Sequence, residues 1–270
     1  MYRSRHLVWM LALVTWLAAP RAARADWDLT LFAGRAFPIE DERLVLRLTP
    51  PGALPGVEID RTNDPTLRPD GGLVFGAALA FEAGIVGIEG RVDATDVALD
   101  FTGARFGLRA VAPPFQGVAG TLDVGDGEFE IDRLYLLSLN LRLRTPGPIG
   151  LIASGGVSYL PDLTLSGSVP VQLQVEGLGS TPVLDAPLRL RAAPGESSHR
   201  FGVNGGAGIR AGAGPIAVLV EARVFYFRDY ELRFESSGVP GVIDELLAGV
   251  DPVRFEPVVI NAQAGVVVRF

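Results

Sequence analysis

Eight stretches of this chain alternate apolar and polar residues with a period of two, and no other feature limits the fold so strongly. In "IAVLVEARVFY", Ile216, Val218, Val220, Ala222, Val224 and Tyr226 fall on one face, with Glu221 and Arg223 on the other. "YLLSLNLRLR" sets Tyr135, Leu137, Leu139, Leu141 and Leu143 against Ser138, Asn140, Arg142 and Arg144. "WDLTLFAGRAF", "LVFGAALAFE", "VGIEGRVD", "LIASGGVSY", "FGVNGGAGIR" and "NAQAGVVVRF" repeat the theme. Each predicts a strand whose successive side chains point to opposite sides of a sheet. A soluble sandwich alternates as well, so periodicity alone leaves sandwich and barrel open.

Three regularities favour the barrel. The connections alternate in length: residues 83–85, 145–148 and 212–215 are tight Gly/Pro-rich turns, whereas roughly 38–71, 94–132, 161–199 and 228–256 are long and polar. Short turns at one end and long loops at the other is the transmembrane barrel pattern, and an even strand number places both termini at the short-turn end. Aromatics of the apolar face cluster at strand ends. Trp27, Phe81 and Phe270 fall at the short-turn end, and Phe37, Phe75, Tyr135, Tyr159, Phe201 and Tyr226 at the long-loop end. Two aromatic girdles around an aliphatic band suit a bilayer, where amphipathic rings favour the interface. The polar face carries both signs of charge in Gly-rich strands: Glu82, Glu89, Arg91, Asp93, Arg142, Arg144, Arg210, Glu221, Arg223 and Arg269. About eight strands enclose a lumen that side chains can fill, where such charges must pair to offset desolvation.

Composition fits this reading. The 270 residues are 48% hydrophobic with a mean hydropathy of +0.30. The single run resembling a membrane helix lies at the start, where Arg3, Arg5 and His6 precede the apolar Leu7 to Ala19 and the small residues Ala23-Arg24-Ala25. That is a secretory signal peptide over 1–25, too short in its apolar part for the roughly 20 residues of a span. The mature domain is then 26–270. Its loss of four arginines and no acid moves the net charge from −7 to −11. An exported acidic chain without a basic run argues against nucleic acid as a partner. Without cysteine there is neither a disulfide framework nor a Cys-ligated metal site, and no cofactor is expected.

With its leader, eight alternating segments, the "EARVFYF" strand before a long loop and the terminal "VVVRF", the chain resembles bacterial outer-membrane β-barrel proteins of the small OmpA/OmpX-like kind. The resemblance covers essentially all of 26–270 and implies an all-β, antiparallel up-and-down transmembrane barrel in the outer membrane, with outer-membrane lipid as surroundings and periplasmic termini. It also implies that Val266, Val268 and Phe270 form a terminal signal read by the barrel-assembly machinery. The loops look longer and more apolar than usual for that family and are the expected place for an extracellular ligand, whose identity is open. "VPVQLQVEG" and "APLRLRAA" alternate well enough for another hairpin, which would give ten strands. Eight is expected, with these two segments extending beyond the bilayer.

Other motifs are weaker. His199 in "GESSHRF" is the one histidine left after leader removal, and lipid-modifying barrels of this kind use a His with a Ser. Ser198 is adjacent and so points to the opposite face of an extended chain; Ser197 shares the face, but an orienting acid would have to come from elsewhere. A loop histidine near headgroups is the favoured reading, with a lipid-modifying enzyme as the alternative. "GAGIRA" (Gly206, Gly208, Ala211) matches a dinucleotide fingerprint loosely, but Gly212, Gly214 and Pro215 follow where a helix must open. "DRTNDPTLRPD" and "DVGDGEFEID" are acidic but lack calcium-loop spacing. "VIDELLAGV" (Val242 to Val250) is the one plausible helical turn. The charge network itself reads first as structural, with a small gated channel as the alternative. The expected role is a non-enzymatic surface or structural one.

Overall fold

The computed structural model describes residues 25–38, 44–45, 56–61, 63, 65–114, 116–161, 164–177, 179–180, 182–192, 199–236, 252–255 and 258–270. Residues 1–24 of the expected leader, Ser197, Ser198 and Val242 to Val250 lie outside these. In chain order the strands are β1 (Ala25–Pro38), β2 (Leu44–Val45), β3 (Val57–Arg61), β4 (Thr66–Asp70), β5 (Leu73–Ala83), β6 (Val86–Thr102), β7 (Ala104–Ala110), β8 (Ala119–Val124) and β9 (Gly127–Arg144). They continue with β10 (Ile149–Leu160), β11 (Leu165–Val175), β12 (Gly179–Ser180), β13 (Leu184–Ala192), β14 (Arg200–Ala213), β15 (Ile216–Phe227), β16 (Tyr230–Ser236), β17 (Val253–Phe255) and β18 (Val258–Arg269).

The eight alternating segments pair antiparallel in sequence order, β1–β5–β6–β9–β10–β14–β15–β18, and β18 returns to β1. This is a closed eight-stranded up-and-down barrel. Closure is what lets every strand satisfy its backbone donors and acceptors without an edge. At the seam Leu31 faces Val266 on one side and Ala77 on the other, and the main chains of Trp27 and Phe270 exchange two hydrogen bonds of 3.0 Å. The tight turns sit where expected, with Gly84 and Gly214 at φ of 73° and 70°, a conformation that residues with a Cβ rarely adopt.

The long connections are more ordered than their polar reading suggested. β6 and β9 have 17 and 18 residues, well beyond the nine to eleven or so that a membrane strand needs. Above the barrel, β2–β4–β6–β9–β11–β13–β16–β17 pair in the order of the strands below them, and β17 lies beside β2. The barrel therefore has a second storey. β11 and β13 pair from Leu165↔Leu190 to Val171↔Leu184, outside the eight-strand wall, as extensions beyond it. A flap, β3–β7–β8, attaches to the outer part of β11.

The second storey encloses an apolar core that includes Leu67, Leu99, Phe101, Phe129, Leu165, Leu188, Leu190, Leu232 and Phe234. One bulge makes this possible. Between Thr95↔Leu134 and Val97↔Ile131 the register shifts, β9 advancing three residues while β6 advances two. Side chains alternate strictly along a strand, so without the extra residue the even-numbered inward face of Leu134 and Leu136 would leave Phe129 outside. With it, Phe129 is fully buried.

Candidate functional site

Inward side chains follow the parity of each strand, and their chemistry changes with depth. From the short-turn end, β9 presents Arg144, Arg142, Asn140, Ser138, Leu136 and Leu134; β15 presents Glu221, Arg223, Phe225 and Phe227 above an apolar pair. The lumen passes from charges through amides and hydroxyls to an apolar plug continuous with the upper core.

All ten charges expected in the lumen network are brought together there, in two tiers. In the middle tier Arg91 meets Asp93 at 2.7 Å and Glu221 at 2.9 Å, and donates to the Gln263 side chain at 2.6 Å. Its guanidinium lies 3.9 Å from the centroid of the inward-facing Phe32 ring. Arg223, with its side chain 0% exposed, reaches Glu221 at 2.7 Å and Glu89 at 3.0 Å. It also donates to Ser154 at 2.7 Å and to Asn204 at 2.5 Å. Arg142 links the tiers, 3.4 Å from Glu89 and 3.6 Å from Glu82.

The lower tier is organised around a residue that charge patterning overlooked. Asp28 on β1 is 0% exposed and takes Arg269 at 3.0 Å, Arg210 at 3.1 Å and Arg144 at 3.6 Å. Glu82 holds Arg144 at 2.6 Å and Arg269 at 3.3 Å. Asp28 was legible as an inward position from the alternation of "WDLTL"; that it gathers three arginines depends on barrel closure. Asn140, Ser154, Asn204 and Gln263 complete the bonding of the middle tier and carried no charge to mark them.

Glycines make room for this network. A Cβ on Gly206 would lie 2.6 Å from Glu221 Oε1, 3.1 Å from Ser154 Oγ and 3.2 Å from Arg223 Nε. Gly206→Val is therefore expected to cost about 1–3 kcal/mol through overpacking, read as a lower urea midpoint for the refolded barrel.

On the outer surface, the expected girdle aromatics all point away from the lumen. Trp27 and Phe81 pack with ring centroids 5.1 Å apart at the short-turn end, near the exposed Phe270. Tyr159 and Phe201 pack at 5.1 Å at the other end, where Phe37, Phe75, Tyr135 and Tyr226 are exposed. Val266 and Val268 lie on the same outward face. Below the second storey, Arg35 is the one charged side chain on the outward face of the described barrel strands, 5.9 Å over the Phe37 ring.

His199 lies at the long-loop rim, its Nδ1 2.6 Å from the Pro161 carbonyl and 3.1 Å from the Tyr159 hydroxyl, with its ring stacked at 6.0 Å on Tyr159. These contacts seat the ring against the wall. Gly206, Gly208 and Ala211 belong to β14, an uninterrupted strand. Of the acidic loop residues, Asp126 accepts from the Gly103 amide at 2.8 Å and Asp123 pairs with Arg105 at 2.7 Å.

An antiparallel barrel with an apolar exterior and an ionic interior has the architecture that a β-structured membrane span requires. No protein-family model matches the chain, and no curated protein matches it. Among solved structures, the outer membrane protein OprG from Pseudomonas aeruginosa is similar to it, with a TM-score of 0.46 and 12% identity, over 92% of this chain and 97% of that one.

Proposed function

We propose that this protein is a non-enzymatic outer-membrane barrel, with the lower storey crossing the bilayer and the upper storey standing outside as the surface that meets other molecules. The observation that carries this is the inversion of polarity. Leu31, Leu139, Leu141, Leu151, Val220 and Ile209 are each more than half exposed, while Arg91, Arg142 and Arg223 are at most 3% exposed. A water-soluble barrel would not expose such a belt, because apolar surface of this extent in water favours aggregation.

The dimensions agree. From Trp27 to Phe37 the strand advances about 33 Å, which at a tilt near 40° is roughly 25 Å along the axis, the height of an outer-membrane apolar band. The test is electrophoretic mobility of the detergent-extracted protein before and after boiling. A mobility shift is expected; a purely soluble periplasmic protein with no shift would overturn the reading. Val220, midway along β15, provides a sharper probe. Val220→Arg is expected to destabilise the barrel in lipid by about 2–4 kcal/mol, the cost of a cation at the bilayer midplane, and to have little effect in a water-soluble protein.

A sealed lumen follows from the same side chains. The paired charges fill the lower half, and the apolar plug of Leu134, Leu136, Leu160, Phe225 and Phe227 lies above them. Planar-bilayer recordings should show no sustained conductance. Steady channel openings would favour the pore reading, in which ion pairs exchange to open a path.

A further inference from the structure

The two tiers of lumen charge are joined through Arg142. In the middle tier Arg91 and Arg223 face three acids, Glu89, Asp93 and Glu221. At the short-turn mouth Arg144, Arg210 and Arg269 face Asp28 and Glu82, with Asp26 on the rim 3.7 Å from Arg269 and 36% exposed. The mouth thus holds three guanidinium groups against two buried carboxylates and one carboxylate on the rim.

A recess of about 260 Å³ opens at that mouth between the β9–β10 and β14–β15 turns, lined by Arg144, Thr145, Gly147, Arg210, Gly212 and Arg269 among others. The three arginine side chains retain 16%, 9% and 25% of their exposure, so each is held from behind and still meets the recess. Three guanidinium groups bring about fifteen N–H donors, whereas the carboxylates of Asp28 and Glu82 provide roughly eight acceptor sites. Arg210 illustrates the surplus: its hydrogen bond to Asp28 uses Nη1, at 3.1 Å.

We propose that this recess binds a small oxyanion, a phosphate or carboxylate group, entering from the short-turn side. Planar guanidinium donors converging on one space match the geometry of such groups, and their fixed placement lowers the ordering cost of binding. Asp28 and Glu82 hold the arginines in position. The carboxylates of Asp28 and Glu82 and the filled middle tier behind them stop the anion, so the recess is a terminal site and not the entrance to a path. The site depends on the barrel geometry alone; that it faces the periplasm rests on the membrane reading above.

The experiment is titration of inorganic phosphate into the full barrel, refolded in an uncharged maltoside detergent at low ionic strength, following the amide shifts of Gly147, Gly150, Gly212 and Gly214. A saturable one-site response is expected, weakened about tenfold or more by Arg210→Gln, the loss of one charge-assisted contact. Arg269→Gln, nearer the rim, serves as the second variant should Arg210→Gln fail to fold. The same barrel in phosphatidylglycerol bicelles without free phosphate identifies the source: shifts at the same glycines there would mean a lipid headgroup fills the recess, and shifts with free phosphate alone would mean a soluble anion. No saturable shift in either medium, up to concentrations on the order of tens of millimolar, would overturn the site. So would equal responses from wild type and both variants. A failed membrane reading would show instead as absent heat-dependent mobility, with phosphate binding intact.

Discussion

Replacing Arg223 with methionine is expected to destabilise the barrel by about 3–5 kcal/mol, the range for removing one partner of a buried ion pair. Arg223 is fully buried and serves Glu221, Glu89, Ser154 and Asn204 at once. Methionine fills much of the same volume, so the loss comes from the carboxylates left behind and not from a cavity. Urea titration of the refolded barrel, read by heat-dependent mobility, measures it. Combining Arg223→Met with Glu221→Gln should recover a substantial part, because one of the stranded charges is removed with its partner. An Arg223→Met midpoint equal to wild type would mean that the network is solvated and contributes little.

Replacing Phe129 with alanine is expected to cost a similar amount, about 3–5 kcal/mol, but in a different place. Phe129 is fully buried, with ring centroids 6.1 Å from Phe101 and 5.8 Å from Phe234, each pair edge-to-face. These rings come from β9, β6 and β16, so the cavity would loosen three strands of the upper storey. The lower barrel has its own ionic interior and should stay closed. Limited proteolysis of the folded protein should then cut Phe129→Ala in the β7–β8 and β11–β13 segments while the lower eight-strand barrel remains protected and heat-modifiable. Proteolysis indistinguishable from wild type would show that the upper core does not act as a cooperative unit. Loss of the whole barrel would show that the two storeys fold together.

Much of the lower barrel was legible because strand alternation is a local property. Tyr135, Leu137 and Leu139 declare an outward face and Asn140, Arg142 and Arg144 an inward one without reference to any other strand. The tight turns at 83–85, 145–148 and 212–215 declare which ends are joined, so closure in sequence order follows. Apolar outside and ionic inside was readable in the same way.

Apart from β11 and β13, whose alternation in "VPVQLQVEG" and "APLRLRAA" was readable, the upper storey was not legible. Its strands are short, as with β2, β12 and β17, or hold their alternation only in register with distant partners. Phe129 belongs to the inward face because of a bulge, and a bulge leaves no mark on hydrophobic period; it flips the parity on one side. The stretch 94–132 therefore reads as a polar loop although the ends of β6 and β9, with β7 and β8 between them, occupy most of it.

The sequence by itself determined the wall: the alternating strands, which face of each points outward and which charges turn inward. Only the tertiary structure decided how those charges combine. Arg91 and Glu221 are 130 residues apart, and Arg223 and Glu89 are 134 apart. Which acid meets which arginine depends on the stagger of strands around a closed barrel, a relation between chain segments that no single segment contains. The same stagger makes Asp28 the anchor of three arginines and brings their guanidinium groups to one recess at the short-turn mouth.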